Sequence, residues 1–249
     1  MTISSQQNRK LKEIRKLRQR RRWRERSGLF VAEGEDLLVA ADAAGWEAVE
    51  RYAAAGSGLP GVEVEAAALA SASGLASGTR ALAVYEERWI EAPVGPVCVY
   101  LHSLADPGNV GTILRSAQAF GASSVALGPG TADPFSPKAV RASMGAVFGV
   151  PLAKVDAAAG LPGTKIALVP GEGAPLNELW RSACAVVTDN AKVHEVSLLV
   201  GAEREGLPGE LVQAADLIAH IPIETESLNA AMAASVALYE LTTRMARDD

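Results

Sequence analysis

The chain has 249 residues, of which 49% are apolar, and a formal net charge of −5 at pH 7. This length allows one large or two medium domains, and the apolar fraction argues against a disordered protein. No apolar run reaches the roughly 18 residues of a membrane-spanning helix, and none follows the basic N-terminus as in a secretory signal. These features predict a cytoplasmic protein with no membrane partner, in which Cys98 and Cys184 are buried and reduced.

The charge is divided unevenly along the chain. Residues 1–26 contain eleven Lys or Arg and two Glu, for a net charge of +9, so the remainder carries −14. A basic segment on an acidic body favours a polyanionic partner, and we interpret residues 1–26 as a nucleic-acid-binding arm. A solvated helix and a tail kept for solubility are the alternatives. The apolar residues of the segment are too sparse for a membrane-anchoring face.

The first ninety residues alternate between helical and strand-like segments. Residues 9–26 have the composition of a basic helix, and Asp36–Ala44 has apolar residues at the 3.6-residue period of a second helix. The pieces that follow continue this alternation, so the sequence predicts a small α/β domain over residues 1–90. Two prolines and a glycine within residues 91–96 predict a linker.

From residue 97 onward, short apolar strands alternate with helices, an order typical of a parallel sheet with helices on both faces. The predicted strands are Val97–Leu104, Ser123–Gly128, Lys165–Pro170, Ala185–Thr188, Ser197–Gly201 and Leu217–Ile223. The predicted helices are Val110–Phe120, Pro137–Ala146, Pro208–Ala215 and Ser227–Arg247. In such sheets ligands bind beyond the carboxyl ends of the strands, so the residues that follow each strand are the candidates for a site.

The first candidate stretch is DPGNVGTILRSAQAFGA, residues 106–122. Its apolar residues share one face of a helix, which places Arg115 on the opposite face. Asn109 is positioned to cap the helix. Two interpretations remain open at this point: a capped helix with a solvated arginine, or an arginine that projects into the crevice beyond the strand ends.

The second stretch is LLVGAEREGLPGEL, residues 198–211. Gly201 ends an apolar strand, and Glu203 lies in the loop that follows. A glycine directly after a strand favours a ligand that approaches the backbone there, since no side chain stands in the way. A polar connecting loop is the alternative.

The third stretch is HIPIETESLNAAMAASVALYEL, residues 220–241. Ser227 is expected to cap the final helix, and the helix is apolar nearly all round, which predicts burial. Asn229 is then an amide near a buried helix start, which needs hydrogen-bond partners or costs about 1–3 kcal/mol.

Several common sites are absent from the sequence. It contains no phosphate-binding glycine loop, no GxSxG and no Cys/His set with metal-ligand spacing, so we expect no metal. The three scattered histidines, His102, His194 and His220, are expected to be structural. These absences disfavour hydride transfer and NTP-driven chemistry. A cofactor without phosphates, bound by backbone at the strand ends, fits better.

Taken together, the three stretches resemble the motifs of the SpoU/TrmH family of RNA ribose 2′-O-methyltransferases, which belongs to the knotted SPOUT class. RASMGAVFGVPL, residues 141–152, resembles the continuation of the first motif. Residues 9–90 resemble the family's L30e-like substrate-binding domain less specifically. The resemblance implies a C-terminal parallel-sheet SPOUT domain with a trefoil knot over residues 97–249, and a small α/β L30e-like N-terminal domain over residues 1–90.

The resemblance also implies the residues of the site. S-adenosyl-L-methionine is the implied cofactor, and its contacts fall by position on Gly201, Ile221, Leu228, Val169, Pro170 and Gly171. The residues that match the family's catalytic and substrate-side positions are Arg115, Asn109, Glu203, Ser227 and Asn229. Between Ile223 and Ser227 the loop is shorter than the family's pattern and lacks its glycine, so the edge of the cofactor pocket is expected to differ.

The implied reaction is attack of an RNA 2′-oxygen on the methyl group of the cofactor, carried out by a homodimer that forms through the C-terminal domain. Arg115, held by Glu203, is expected to bind the ribose or its phosphate and to stabilise charge on the 2′-oxygen. Large-subunit (23S) rRNA is the expected substrate, since the separate N-terminal domain resembles the rRNA-directed branch. A tRNA 2′-O-methyltransferase, a catalytically silent rRNA-binding protein and an α/β enzyme acting on a small nucleotide are the alternatives.

Overall fold

The computed structural model describes residues 2–74, 78–179 and 195–248. The predicted strand Ala185–Thr188, together with Cys184 and His194, lies outside the described residues. Two compact units are present: Met1–Arg88 with Asp133–Gly149, and Trp89–Ala132 with Val150–Asp249. The domain boundaries predicted at residues 90 and 97 stay a prediction.

The first unit is built on a four-stranded mixed sheet with the order β1-β4-β2-β3, in which β2 and β3 are parallel and the other pairs antiparallel. Its strands are β1 (Leu29–Glu33), β2 (Glu50–Ala54), β3 (Val62–Val64) and β4 (Ala81–Glu86). Its helices are α1 (Arg9–Gln19), α2 (Arg21–Ser27), α3 (Glu35–Ala43), α4 (Ala66–Ala72), α6 (Pro137–Ala142) and α7 (Ala146–Gly149). The predicted small α/β fold is confirmed.

The basic N-terminal segment is part of the packed structure of this unit. The prediction of one helix over residues 9–26 is wrong, because Arg20 is extended (φ −128°, ψ 106°) and separates α1 from α2. Leu11, Ile14 and Leu17 of α1 are buried in the core of the unit. The 3.6-residue spacing of these three apolar residues explains why the segment packs as a helix despite its charge.

An aromatic cluster explains why residues 133–149 belong to the first unit. Phe30 is fully buried, and its ring lies 4.6 Å from that of Phe135 and 5.9 Å from that of Phe148. The indole N–H of Trp46 donates a hydrogen bond to the carbonyl of Phe148 at 2.8 Å. Phe30 therefore packs in the core of the first unit.

The second unit is a seven-stranded sheet with the order β7-β6-β5-β10-β8-β11-β9. All of its strand pairs are parallel, as predicted. Its strands are β5 (Val97–Leu101), β6 (Ser124–Leu127), β7 (Leu152–Lys154), β8 (Thr164–Leu168), β9 (Ala174–Pro175), β10 (Val196–Val200) and β11 (Leu217–His220). Its helices are α5 (Pro107–Ala119), a 3₁₀ turn (Ala158–Gly160), α8 (Gly209–Gln213) and α9 (Ala230–Asp248). The trefoil knot stays a prediction.

Two further sequence predictions concern single segments. The helix predicted over Pro137–Ala146 is interrupted at residues 143–145, where Met144 (φ +50°) and Gly145 (φ +97°) have left-handed backbone angles. The buried thiol of Cys98 has a raised pKa because burial disfavours the thiolate. Among the described residues, no helix combines the length and apolar character needed to cross a membrane.

Candidate active site

Three neighbouring strands collect the predicted cofactor-contacting residues at one edge of the sheet. β8 pairs with β10 on one side and with β11 on the other, and all three run in the same direction. The residues that directly follow these strands are Val169–Gly171, Gly201 and Ile221. Because the carboxyl ends of parallel strands meet at the same edge, these residues lie at the position where α/β sheets bind ligands.

The backbone at this edge has unused hydrogen-bond donors. The N–H of Val169 donates to the carbonyl of Ala219 at 2.9 Å. By contrast, the N–H groups of Gly171, Ile221 and Leu228 donate to no acceptor within the described part of the chain. Unpaired backbone donors of this kind fit a neutral, hydrogen-bonding ligand.

Gly201 is required by the loop that follows it. Ala202 and Gly206 exchange two backbone hydrogen bonds of 3.1 and 3.0 Å, which closes a tight turn. A Cβ atom on Gly201 would lie 2.2 Å from the carbonyl carbon of Gly206 and 2.4 Å from the backbone nitrogen of Leu207. The glycine therefore admits the chain's own backbone, and the approach of a ligand to the backbone of Gly201 stays a prediction. The turn holds Glu203 exposed at its tip.

The Asn109 side chain does not cap α5. The N-cap is Asp106, whose carboxylate accepts a hydrogen bond from the N–H of Gly108 at 2.9 Å, so the prediction that Asn109 caps this helix is wrong. Pro107 takes the first helical position, where its missing N–H costs nothing. Asn109 instead lies inside the first turn, and its amide donates to the carboxylate of Glu203.

Asn229, at the start of α9, contacts Asn109. The side-chain oxygen of Asn229 accepts hydrogen bonds from the N–H groups of Ala231 at 2.9 Å and Met232 at 3.3 Å, so Asn229 caps this helix. Its amide nitrogen donates to the side-chain oxygen of Asn109 at 3.2 Å. The predicted cap, Ser227, is exposed two residues earlier, and its carbonyl accepts from the Thr225 hydroxyl at 3.5 Å.

A directed hydrogen-bond chain therefore runs from Asn229 through Asn109 to Glu203. Because the cap occupies the oxygen of Asn229, its nitrogen must face Asn109, and this fixes the orientation of the second amide as well. Asn229 is exposed, whereas we predicted a buried amide. This hydrogen-bond chain joins three motifs that are far apart in sequence, and it ends at the carboxylate of Glu203.

Arg115 stands apart from this chain. It is exposed on the face of α5 opposite the buried residues, as predicted, and no described residue forms a hydrogen bond or ion pair with its side chain. Six residues separate it from Asn109, which corresponds to about 120° around the helix and about 9 Å along its axis. The expected contact between Arg115 and Glu203 is not present within the single chain.

A second polar contact between α5 and α9 was missed by the sequence analysis. The hydroxyl groups of Ser116 and Ser235 lie 2.5 Å apart, and Ser235 also donates to the carbonyl of Ala231 at 2.7 Å. Ser116 follows Asn109 by seven residues and Ser235 follows Asn229 by six, so the two helices run side by side in the same direction. Helical spacing from the two asparagines is the signal that could have revealed this pair.

The final helix is less buried than predicted. Met232, Val236 and Tyr239 are 59%, 44% and 54% exposed. Their spacing of four and three residues places them on one face. The ring of Tyr239 packs against that of Phe120 at 5.8 Å, which extends this apolar face onto the end of α5.

His102 follows β5 and is held by its neighbours. Its Nδ1 atom lies 3.1 Å from the hydroxyl of Tyr100. Burial lowers the pKa of His102, while the charge of Glu210 raises it. Within the described ranges, no group of three or more His, Cys, Asp or Glu side chains is arranged to hold a metal ion.

Comparison with known proteins matches both parts of the chain. Residues 96–239 match the SpoU rRNA Methylase family, and residues 8–87 match the MRM3-like substrate binding domain. Over most of its length the fold is similar to the crystal structure of an AdoMet-bound rRNA methyltransferase from Sinorhizobium meliloti. That structure superposes with a TM-score of 0.80 at 30% identity, covering 98% of this chain and 97% of that one.

Curated relatives match over a little more than half of the chain. A 23S rRNA (guanosine(2553)-2′-O)-methyltransferase of Bacillus subtilis is 32% identical over 57% of this chain and 56% of its own length. A 23S rRNA (uridine(2479)-2′-O)-methyltransferase of Streptomyces viridochromogenes is 34% identical over 54% of this chain and 48% of its own. The chain thus spans about half the length of the curated relatives it matches. Because the family match covers more than half of its residues, the chain belongs to the SpoU rRNA Methylase family.

Proposed function

We propose that the chain is an S-adenosylmethionine-dependent RNA ribose 2′-O-methyltransferase that acts on large-subunit rRNA. The observation that carries this proposal is the meeting of three strand ends with the hydrogen-bond chain Asn229–Asn109–Glu203. It is supported by family membership and by relatives named for 2′-O-methylation of 23S rRNA. Since those two relatives are named for different nucleotides, the target base is left out of the proposal.

The described residues at the strand ends fit the cofactor by their chemistry. The free N–H groups of Gly171, Ile221 and Leu228 can bind the acceptor nitrogens of adenine and the hydroxyl oxygens of its ribose. The cofactor contains no phosphate, which agrees with the absence of a glycine-rich phosphate loop from the sequence. Val169 and Pro170 would contribute apolar surface and backbone carbonyls beside these donors.

The chemistry that S-adenosylmethionine supplies when bound is an electrophilic methyl group on a sulfonium. The residues of this chain would place a ribose 2′-hydroxyl in line with that group, and positioning of this kind can lower a barrier by about 7–11 kcal/mol in ideal cases. Asn109 and Asn229 hold the carboxylate of Glu203 in a fixed orientation, where it can accept a hydrogen bond from the substrate. Ser227, exposed two residues before the cap of α9, would be available to the ribose.

Arg115 would stabilise the negative charge that develops on the 2′-oxygen, or bind the adjacent phosphate, because a guanidinium stays protonated. Its distance around α5 from Asn109 and its lack of a partner lead us to place it in the site of a second protomer. The exposed apolar face of Met232, Val236 and Tyr239 would supply the contact for such a homodimer. Each site would then combine the strand ends of one protomer with Arg115 of the other.

The first unit would hold the RNA. Five cations of the basic segment have no partner among the residues described and are exposed: Arg9, Lys12, Arg20, Arg22 and Arg26. Phosphate contacts from such side chains give an affinity that falls steeply with salt. Trp23 is half-buried beneath the ammonium of Lys16, 4.4 Å from its ring, so we assign it to packing rather than to base stacking.

The experiment that tests the function is transfer of a labelled methyl group from S-adenosylmethionine to 23S rRNA transcribed in vitro. The expected product is one 2′-O-methylated nucleotide, found by complete digestion and mapping. Purified tRNA serves as the competing substrate, and methylation of tRNA alone would overturn the choice of rRNA. Binding of RNA without any transfer would support the catalytically silent alternative.

A further inference from the structure

The guanidinium of Arg141, in the first unit, has no hydrogen-bond or ion-pair partner among the residues that the structure describes. Arg141 lies in the last turn of α6 and is half-buried. Its positive charge acts on another cation, Arg18 of α1, and lowers the pKa of that residue. A half-buried guanidinium beside a like charge is unfavourable unless an anion joins it.

The carboxylates of this region already have partners. Glu33 is buried, forms an ion pair with Arg18 and accepts a hydrogen bond from the N–H of Gly74. Arg18 also donates to the carbonyl of Ala72 at 2.7 Å. Burial lowers the pKa of Arg18, Glu33 raises it, and the charge of Arg141 lowers it further. Glu33 is thus engaged by Arg18 and by the N–H of Gly74, and no contact between Glu33 and Arg141 is present.

The second ion pair of this region also leaves no carboxylate available. The guanidinium of Arg24 contacts the carboxylate of Asp133 at 2.7 Å through both Nε and a terminal nitrogen. Its remaining terminal nitrogen donates to the carbonyl of Leu17 at 2.6 Å. Asp133 is therefore not available to neutralise Arg141, although both belong to the same inserted segment.

Met144, three residues after Arg141, is held in a conformation that its side chain disfavours. Its φ is +50°, and its side chain is 59% exposed. The turn is fixed by hydrogen bonds from the Met144 N–H to the Arg141 carbonyl at 3.1 Å and from the Ala146 N–H to the Ser143 carbonyl at 3.0 Å. Strained residues that present a side chain to solvent in a rigid turn are typical of binding sites.

We propose that Arg141 and Met144 form a nucleotide-binding subsite for the RNA substrate, outside the strand-end site. Arg141 binds a backbone phosphate, and the thioether of Met144 packs against the adjacent base or ribose. RNA is the occupant that fits, because the same unit also exposes the unpaired cations of α1 and α2, and a polyanion can contact both. The inference rests on the RNA-binding role proposed above and adds to it a defined pair of contacts.

The test is filter binding of in vitro transcribed 23S rRNA over a series of NaCl concentrations. Arg141→Gln should weaken binding about tenfold and reduce the slope of log affinity against log salt by about 0.7, the value for one lost phosphate contact on a single strand. Arg141→Lys should keep the slope, since the charge remains. Met144→Gly should weaken binding a few-fold with an unchanged slope, because it removes an uncharged contact and the backbone strain together.

Arg80→Gln is the matched control. Arg80 belongs to the same unit, is exposed and pairs with Glu35 at 3.2 Å, so its removal changes the net charge equally. We expect its salt slope to equal that of the parent protein. Thermal unfolding of each variant establishes that it is folded before binding is compared.

Parent-like affinity and salt slope in both Arg141→Gln and Met144→Gly would overturn the subsite, whatever partner the two residues then serve. If Arg141→Gln does not fold, Arg141→Lys and Met144→Gly decide, and parent-like affinity of the glycine variant overturns the proposal. Failure of the proposed function has a different signature: the parent protein itself would transfer no methyl group to this RNA.

Discussion

The basic segment and the strand-end region of the second unit differ in how their charged side chains are used. In the basic segment, six of the eleven cations are engaged within the described structure, as with Arg18 and Glu33 or Arg24 and Asp133. The loops after the strands of the second unit carry mainly carboxylates, and the side chain of Arg115, on α5, has no partner among the described residues. The basic segment uses most of its cations for its own fold, whereas the second unit leaves Arg115 free.

This difference teaches that the count of basic residues is a poor guide to their use. A cation in an internal pair is largely neutralised toward a distant anion, and a buried one also resists removal. The arginines that remain available are those for which the fold supplies no carboxylate. By that criterion Arg115 and Arg141 are notable in spite of their position outside the basic segment.

The largest effect on methyl transfer is expected from the loss of Arg115. In Arg115→Ala we expect methyl transfer to fall about 100- to 1,000-fold, as for removal of one stabiliser of developing charge. Affinity for S-adenosylmethionine should stay within a few-fold, since Arg115 does not belong to the strand-end donors. Single-turnover transfer and calorimetric titration measure the two quantities. Full retained activity would remove Arg115 from the site.

A mixing experiment sharpens the same prediction. Arg115→Ala is combined with Leu228→Trp, which fills the proposed cofactor site. If Arg115 serves the partner's site, each mixed dimer has one competent site, and random exchange restores about a quarter of parental activity, because half of the dimers are mixed. An Arg115 that serves its own protomer would give no recovery.

The next contrast lies within the basic segment. Leu17→Ala should lower the free energy of unfolding by about 2–5 kcal/mol, because Leu17 is 3% exposed in the core. The combined variant Arg20→Gln, Arg22→Gln and Arg26→Gln should change stability by less than about 0.5 kcal/mol. It should nevertheless reduce the salt slope of rRNA binding. Urea unfolding and filter binding separate these effects, and a strongly destabilised arginine variant would contradict the assignment.

Deletion of residues 1–26 would confuse the two roles. It removes Leu11, Ile14 and Leu17 from the core together with the exposed cations. Loss of RNA binding after such a deletion would therefore report unfolding of the first unit rather than lost phosphate contacts.

A smaller effect tests whether the Glu203 turn depends on Gly201. Gly201→Ala should destabilise the protein by about 1–3 kcal/mol, because the added Cβ meets backbone atoms of Gly206 and Leu207 that cannot move independently. Gly209→Ala, at the start of α8, is the control, since nothing lies within 4 Å of its Cβ position. Equal unfolding free energies in the two variants, measured in urea, would show that the turn accommodates the added methyl group.

The smallest predicted effect is a pH dependence at His102. Because its pKa in the folded protein is lowered below 6.5, the unfolded chain binds more protons in the window just below that value. His102 thus stabilises the fold above about pH 6.5, and this contribution is lost as pH falls through the folded pKa. His102→Gln should flatten the rise of unfolding free energy between about pH 5 and 7. An unchanged pH profile would contradict this origin.

The sequence was sufficient for the parts of the fold that depend on local pattern. Alternating apolar strands and helices predicted the parallel sheet, and the residues after β10 and β11 predicted where its site lies. Helix starts were harder, because several residues near each start can act as the cap. Asp106 and Asn229 take that role, rather than Asn109 and Ser227, and only the three-dimensional contacts decide between candidates one to three residues apart.

The site was predicted by its members but not by its connections. No local pattern states that Asn229 donates to Asn109, since 120 residues separate them and their proximity depends on the order of the sheet. For the same reason the insertion of residues 133–149 into the first unit could not be read from periodicity. Their aromatic partners, Trp46 and Phe30, lie about a hundred residues earlier.

The position of Asn229 also sets the order in which the molecule becomes complete. Its side chain both caps α9 and is the first donor of the hydrogen-bond chain that ends at Glu203. One amide therefore links the start of the final helix to the site. A growing polypeptide that has reached residue 228 contains Asn109 and Glu203 but lacks the Asn229 amide that donates to Asn109. The complete hydrogen-bond chain can therefore form only after residue 229 and the helix that it caps have been synthesised.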